Sequence, residues 1–131
     1  MRIVNLIENT QGAEGCLWEH GLSFYIETGN HKILADTGAS DAFARNADKL
    51  GIDLGQVDTA VISHGHYDHA GGLLAFAARN RKARIWIQRL AGEPYYHKSA
   101  VEERYIGIDP RIMELPRIEW LEQYLVLEED G

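Results

Sequence analysis

The chain has a single cysteine, Cys16, three prolines and two methionines in 131 residues. One thiol excludes an internal disulfide and a cysteine-based metal cluster, and it fits a reducing compartment. Long apolar runs are absent. The longest nearly apolar stretch, residues 70–78, falls well short of the roughly 20 residues that cross a bilayer. The N-terminal MRIVNLIENT passes straight into polar residues, without the apolar core or cleavage site of a secretory signal. Positive charge is scarce: 13 Lys and Arg face 20 Asp and Glu, a net charge of −7. That balance argues against non-specific binding to nucleic acid or to an anionic membrane. Neither a Walker loop nor a dinucleotide fingerprint is present, because the glycines lack the strand–loop–helix order those sites need. What remains is globular composition, 45% hydrophobic and 25% charged, with length for one core. The expectation is a cytoplasmic, one-domain protein.

The first half of the chain is rich in strand signals. Residues 1–8 make an opening strand, and 22–28 and 31–36 form a hairpin around Gly29–Asn30. Ser40 is a good N-cap, with Asp41 in the first turn. Phe43, Ala47 and Leu50 then share one helix face that stops at Gly51. Residues 58–63 are short, β-branched and almost wholly apolar, as in a strand buried on both faces. A second helix starts near His69 or Ala70 and carries Leu73, Leu74 and Ala77 before Asn80. Residues 83–88 give another strand, with Ile85 and Ile87 on one face and Trp86 on the other. This order predicts a layered α/β sheet, α+β in some schemes. Beyond Gln88 the pattern weakens. Residues 93–104 read as a surface excursion with room for a short helix, prolines punctuate 109–116, and residues 124–127 form a last strand. Trp86 and Trp120 read as packing residues.

The chemistry concentrates in His64-Gly-His66-Tyr-Asp68-His69, at the C-terminal exit of the predicted buried strand. Extended backbone sends His64 and His66 to the same side, and a tight turn can bring Asp68 and His69 around a second position. Gly65 relieves crowding between the first pair, and Gly71 and Gly72 let the chain turn closely into the next helix. A lone histidine after a strand is ordinarily surface decoration. Three histidines and an aspartate between an apolar strand and a glycine pair point instead to a metal site. Imidazole and carboxylate ligands suit zinc, iron or manganese. Asp36, followed by Thr-Gly, is a good turn former. His31 is expected to be exposed, His97 to be a surface histidine, and His20 a loop histidine. The cluster Arg79-Asn-Arg81-Lys82 reads as a solvated helix end.

HGHYDH resembles the HxHxDH signature of the metallo-beta-lactamase superfamily. The segments LIENT, EHGLSF, ILADTG and AVISHGHYDHAGGL are similar to the branch that includes the dihydropterin-aminobenzene-phosphate synthase, over residues 3–90. YYHKSAVEERYIGIDP resembles a variable insert of bacterial members, which places an insert near 89–117. The resemblance implies an αββα sandwich, of which residues 1–131 would be a single partial domain, the N-terminal half. It implies that His64 and His66 ligate one metal and Asp68 and His69 a second, with Asp68 also orienting and deprotonating the attacking water. Asp36 with Gly65, Gly71 and Gly72 would support the site, and His20 would lie on the substrate rim. The cofactor implied is divalent metal, zinc before iron or manganese, with two ions in a complete relative. The activity implied is water activation against an ester, amide or phosphoester of a small-molecule substrate.

In the superfamily the remaining ligands come from the second half, so this chain supplies two per metal. Three readings follow: a metal-dependent hydrolase incomplete in this chain, a non-catalytic half-domain that self-associates with weak metal binding, or an iron-dependent oxidoreductase. The partner expected is a second copy, as a homodimer, or the missing C-terminal half.

Overall fold

The structure is a computed structural model that describes residues 1–99 and 102–122. Among the described residues, eight strands occur in chain order: β1 (Arg2–Ile7), β2 (Ser23–Glu27), β3 (Lys32–Ala35), β4 (Thr59–Ile62), β5 (Arg84–Gln88), β6 (Tyr96–Lys98), β7 (Glu103–Tyr105) and β8 (Ile118–Leu121). Six of them form one sheet in the order β1-β2-β3-β4-β5-β8, while β6 and β7 make a separate two-stranded ribbon. Pairing is antiparallel from β1 to β3 and parallel from β3 to β8. The mixture follows from connection length, since a tight turn reverses the chain whereas a helical crossover returns it parallel.

One face of the sheet carries the core. Val4, Tyr25, Leu34, Ala60, Ile85 and Ile118 lie in register across the six strands. The helices α1 (Ala42–Lys49) and α3 (Leu73–Arg79) set Phe43, Ala47, Leu73 and Phe76 into the same cluster, all fully buried. Each large apolar side chain removed from water in this way contributes about 1.5–3 kcal/mol. A register shift between Asn5 and Ile7 lets Leu6 and Ile7 both turn inward, as a bulge does. The single helical turn α2 (Tyr67–Ala70) is separated from α3 by Gly71 and Gly72.

The opposite face carries apolar side chains too, and they are only half-buried. By alternation Phe24, Ala35, Val61 and Trp86 form one row across it, and Ile26 and Ile33 stand in the next. Ile3, at the end of that second row, is 60% exposed. The expectation that residues 58–63 are buried on both faces holds for one face only: in β4, Ala60 and Ile62 are buried, whereas Thr59 and Val61 are half-buried, with one layer of helices present among the described residues. No helix there is long and apolar enough to cross a membrane.

Several local expectations shift. The first helix begins at Ala42 with Asp41 at its N-cap position, although Ser40 Oγ does accept from the Ala42 N–H at 3.1 Å. Leu50 is 36% exposed; the chain leaves the helix through Gly51 at φ 75°, and Ile52 takes the buried position instead. Residues 93–104 contain the β6–β7 ribbon rather than a helix. Strand β8 is an element that the sequence pattern did not announce. His31 is half-buried, with Nδ1 3.5 Å from Asp58. The strand expected at 124–127 lies outside the described residues.

Asn80 ties the exit of α3 to the turn before β4. Its Nδ2 donates to the Leu54 and Val57 carbonyls at 2.9 and 2.8 Å, and its Oδ1 accepts from the Lys82 and Ala83 N–H groups. All four bonds are lost in Asn80→Ala, and each buried group left unpaired costs about 1–3 kcal/mol. Urea unfolding is expected to show Asn80→Ala less stable by about 3 kcal/mol or more with an unchanged m-value. The isosteric Asn80→Asp is expected to fall at least as far, because a carboxylate oxygen then faces two carbonyls.

Candidate metal centre

Strand β4 ends at Ile62, and the next residues leave the sheet at its C-terminal edge, where α/β proteins build sites. Gly65 sits against the Ala91 carbonyl so closely that any Cβ would overlap it. The glycine therefore admits the turn after β5, a different reason from crowding between the flanking histidines. His66 keeps an extended backbone at φ −94° and caps α2. The one helical turn that follows brings Asp68 and His69 back over His64. Gly72 packs against the Phe43 ring and the Thr37 and Ser40 carbonyls, and Gly71 against the Ala39 carbonyl.

Donor atoms of His64, Asp68 and His69 lie within 4.8 Å of one another. The rings of His64 and His69 are 4.2 Å apart between centroids, and those of His64 and His66 are 4.8 Å apart. His64 and His66 thus share one side of the chain as alternation predicts. The tightest set, however, draws from both predicted pairs, and His66 stands beside it with its ring 5.5 Å from Tyr95.

Asp36 organises this cluster from below. Its residue is buried and stands at φ 60°, in the left-handed region. Its Oδ1 accepts from the Ser63 N–H at 2.7 Å, and its Oδ2 accepts from the Ser63 hydroxyl at 2.7 Å and from His69 Nδ1 at 2.8 Å. A carboxylate only accepts, so His69 carries its proton on Nδ1 and leaves Nε2 as a lone pair. The Ser63 hydrogen is spent on Asp36. His64 Nδ1, 2.8 Å from Ser63 Oγ, must then be the donor, and its Nε2 is also left bare. One carboxylate, acting directly and through one hydroxyl, fixes the tautomers of two histidines. Burial holds the His64 pKa below its ordinary 6.5, helped by His69 and His66 and opposed by Asp36 and Asp68. The neutral ring contributes stability that is present above about pH 6.5 and lost as pH falls through the lowered folded value.

The rim comes from the loop before β2. Glu19 accepts from the Ala39 and Ser40 N–H groups and the Ser40 hydroxyl. The Gly21 N–H donates to Asn9 Oδ1 at 3.1 Å, and a Cβ on Gly21, at φ 151°, would strike the Asp68 carbonyl. His20 is placed between these anchors. Asn9 Nδ2 lies 3.3 Å from its Nδ1, and an amide nitrogen donates, so His20 Nε2 carries the proton and donates to Asp68 Oδ2 at 3.1 Å. His20 therefore orients Asp68 and does not itself offer a lone pair. Cys16 lies in a separate buried cleft with Asn46. Sequence reasoning missed Ser63, Asn9 and Glu19. Ser63 had a visible signal, the one hydroxyl between an apolar strand and the histidines.

Comparison with known proteins gives a consistent set of likenesses. A family model described as the metallo-beta-lactamase superfamily matches residues 17–131. An uncharacterized protein of Methanocaldococcus jannaschii is 37% identical over 101 residues, covering 73% of this chain and 36% of that protein. The 7,8-dihydropterin-6-methyl-4-(beta-D-ribofuranosyl)-aminobenzene-5'-phosphate synthase of the same organism is 35% identical over 79 residues, 56% of this chain and 27% of its own length. The crystal structure of a metal-dependent hydrolase of the beta-lactamase superfamily aligns with a TM-score of 0.71 and 33% identity, over 98% of this chain and 44% of that one. A subclass B3 metallo-beta-lactamase from a soil metagenome library shares the fold, with a TM-score of 0.59 at 20% identity over 82% of this chain and 42% of that one. The chain spans less than half the length of each of these proteins.

The hydrogen-bond chain has a direct spectroscopic consequence. Long-range nitrogen–proton NMR of the metal-free protein at pH 7.5 is expected to show His64 and His69 protonated on Nδ1 and His20 on Nε2. In Ser63→Ala, His64 is expected to become a mixture of tautomers while His69 stays protonated on Nδ1. A His64 protonated on Nε2 in the parent would contradict the assigned direction of the chain.

Proposed function

Because the chain belongs to the metallo-beta-lactamase superfamily, we propose that it holds a divalent metal ion at His64, Asp68 and His69, with His66 alongside, and serves the hydrolysis of a small-molecule substrate. The observation that carries this reading is that one ring nitrogen of each of His64 and His69 and a carboxylate oxygen of Asp68 lie within 4.8 Å of one another. The donor set fits the ion, since catalytic zinc takes three protein ligands of these kinds. An ion bound there lowers the pKa of a water toward 7 and polarises the bond under attack.

The chain's own residues do the rest. Asp36 and Ser63 hold the two imidazoles in place through their Nδ1 atoms. His20 takes one lone pair of Asp68 Oδ2, so Asp68 would ligate the ion through one oxygen while the other orients a water and takes its proton. One metal position is furnished with three donors. A second position would use His66, whose ring stands 4.8 Å from that of His64, with further ligands from a second layer. The zinc reading has one rival that the same donors favour. Two histidines and one carboxylate also make the facial triad of non-haem iron, so an iron-dependent oxidoreductase is the second reading.

Metal analysis of the purified chain, followed by zinc titration after chelation, tests the site. About one equivalent is expected in the parent, held weakly. His64→Ala and Asp68→Asn are each expected to lose more than the 10–100-fold that follows loss of a residue behind the ligands. Variants that bind as tightly as the parent would overturn the site. Zinc-dependent turnover of p-nitrophenyl esters would support hydrolysis, and oxygen uptake by iron-loaded protein without such turnover would favour the oxidoreductase.

The half-buried sheet face belongs to the same reading. We propose that a second layer covers it, supplied by the C-terminal half of a longer protein or by a second copy of this chain. Apolar surface left in water is unfavourable by about 25 cal/mol per Å², and soluble monomers rarely expose contiguous patches above a few hundred Å². For the 131-residue chain alone, light scattering and urea unfolding over a concentration series are expected to show a dimer whose stability rises with concentration. A monomer with concentration-independent unfolding would count against the second copy.

A further inference from the structure

The β6–β7 ribbon forms a wall of the site that metal binding does not use. His97 and Arg104 are directly opposed across the ribbon, so their side chains share one face. Tyr96 and Tyr105 pair on the other, with ring centroids 5.3 Å apart. The His97–Arg104 face looks into a cleft of about 290 Å³, whose far side is His20, His66, Tyr67 and Asp68. The ribbon is pinned in that position. The Tyr67 N–H donates to the Ile106 carbonyl, the Ile106 N–H to the Tyr95 carbonyl, both at 2.9 Å, and the Tyr95 hydroxyl to the Leu90 carbonyl at 2.6 Å. The Arg104 guanidinium carbon lies 5.9 Å from the centre of the Tyr67 ring.

Charge makes this arrangement informative. The chain has 20 carboxylates and 13 Lys and Arg, yet among the described residues the Arg104 guanidinium has no ion pair or hydrogen bond. Opposing a cation with an imidazole on a ribbon brings no attraction of its own. The carboxylate across the cleft, Asp68, has Oδ2 already engaged by His20. A guanidinium fork held beside a second nitrogen donor, with no acceptor of its own, matches a bidentate oxyanion.

We propose that this cleft binds an oxyanionic group of the substrate, phosphate or carboxylate, with Arg104 as the main contact and His97 as a second donor. The group is thereby held next to the His64–Asp68–His69 cluster. The inference deepens the hydrolytic reading, which it needs for the role of the bound group but not for the binding itself.

The test uses the full chain stripped of metal, so that anions meet only protein. Inorganic phosphate and acetate are titrated separately, and the Arg104 side-chain N–H and the ribbon amides are followed by NMR. Saturable shifts are expected with at least one anion. Phosphate alone would assign the group as phosphoryl, acetate alone as carboxylate, and either result supports the site. Arg104→Gln is expected to weaken binding at least 10-fold. Arg104→Lys is expected to weaken it less, because a point charge remains without the fork. Arg104 is exposed, so both variants keep the fold. The absence of saturation with both anions, or equal affinity in Arg104→Gln, would overturn the proposal. Zinc titration of Arg104→Gln is expected to match the parent. Failure of the metal reading would appear there, in the parent itself, and leave the anion titration unchanged.

Discussion

Asp36 stands one residue past β3 in the left-handed region, and its carboxylate accepts from two groups of Ser63 and from His69. A non-glycine residue in that region costs on the order of 1 kcal/mol. The three donors repay the desolvation of a buried acid and hold the backbone where it would not otherwise stay. The position cannot be filled by a residue with easier backbone geometry. Glycine would relieve the strain and lose all three bonds. The backbone N–H of Asp36 meanwhile donates to the Val61 carbonyl at 2.9 Å, continuing the β3–β4 pairing. The same residue thus joins the sheet to the site, and the aim of two imidazoles depends on a turn that the sheet fixes.

Around that carboxylate the loops are joined backbone to backbone. The Thr37 N–H donates to the His69 carbonyl at 2.7 Å, the Gly38 N–H to the Leu22 carbonyl at 2.9 Å, and the Leu22 N–H to the Asp68 carbonyl at 3.3 Å. Thr37 Oγ1 accepts from the Gly72 N–H at 3.0 Å. Three segments distant in sequence therefore meet within a few ångströms, which is close enough that the glycines at 21, 71 and 72 have no room for a Cβ. Packing at this density transmits displacement rather than absorbing it. Rigid support of this kind is what a ligand set needs when its geometry must be right before the ion arrives.

Much of this was legible in the sequence because the central strands are short and apolar and their exits are polar. β1 to β5 follow from periodicity, and the HGHYDH exit follows from where β4 must end. The direction in which Asp36 reaches was not legible, because a positive φ at an aspartate has no signature beyond the Thr-Gly that follows it. β8 escaped because Arg117-Ile118-Glu119-Trp120-Leu121 follows a proline and mixes charge with large apolar groups, and its pairing with β5 is a long-range event. The β6–β7 ribbon escaped for a different reason. Its strands are three residues each and exposed on both faces, so no burial pattern marks them, and a tyrosine pair does the work of a core. Helical spacing puts Leu50 on the buried face, but the helix ends at Lys49 and Leu50 is already its C-cap residue, where that spacing no longer applies.

The half-buried sheet face ends at the edge that carries His64 and His66. Val61 and Trp86 point to the half-buried face, and Ser63, His64 and His66 follow two to five residues beyond Val61, at the edge where that face ends. A layer laid over Phe24, Val61 and Trp86 would bring the ends of its own strands or loops to the same edge. Covering the apolar surface and completing the ligands would then be one structural event. The hydrophobic contribution of the sheet would hold in place donors that each metal contact alone could not recruit. The anion-binding wall stands apart from this, since the β6–β7 ribbon is anchored through Tyr67, Ile106 and Tyr95 within the chain itself. The proposed contact of the ribbon with an anion would therefore require no second layer. On the proposed reading, the chain's own residues would hold one ion and one anion, and a covering layer would be the source of ligands for a second ion.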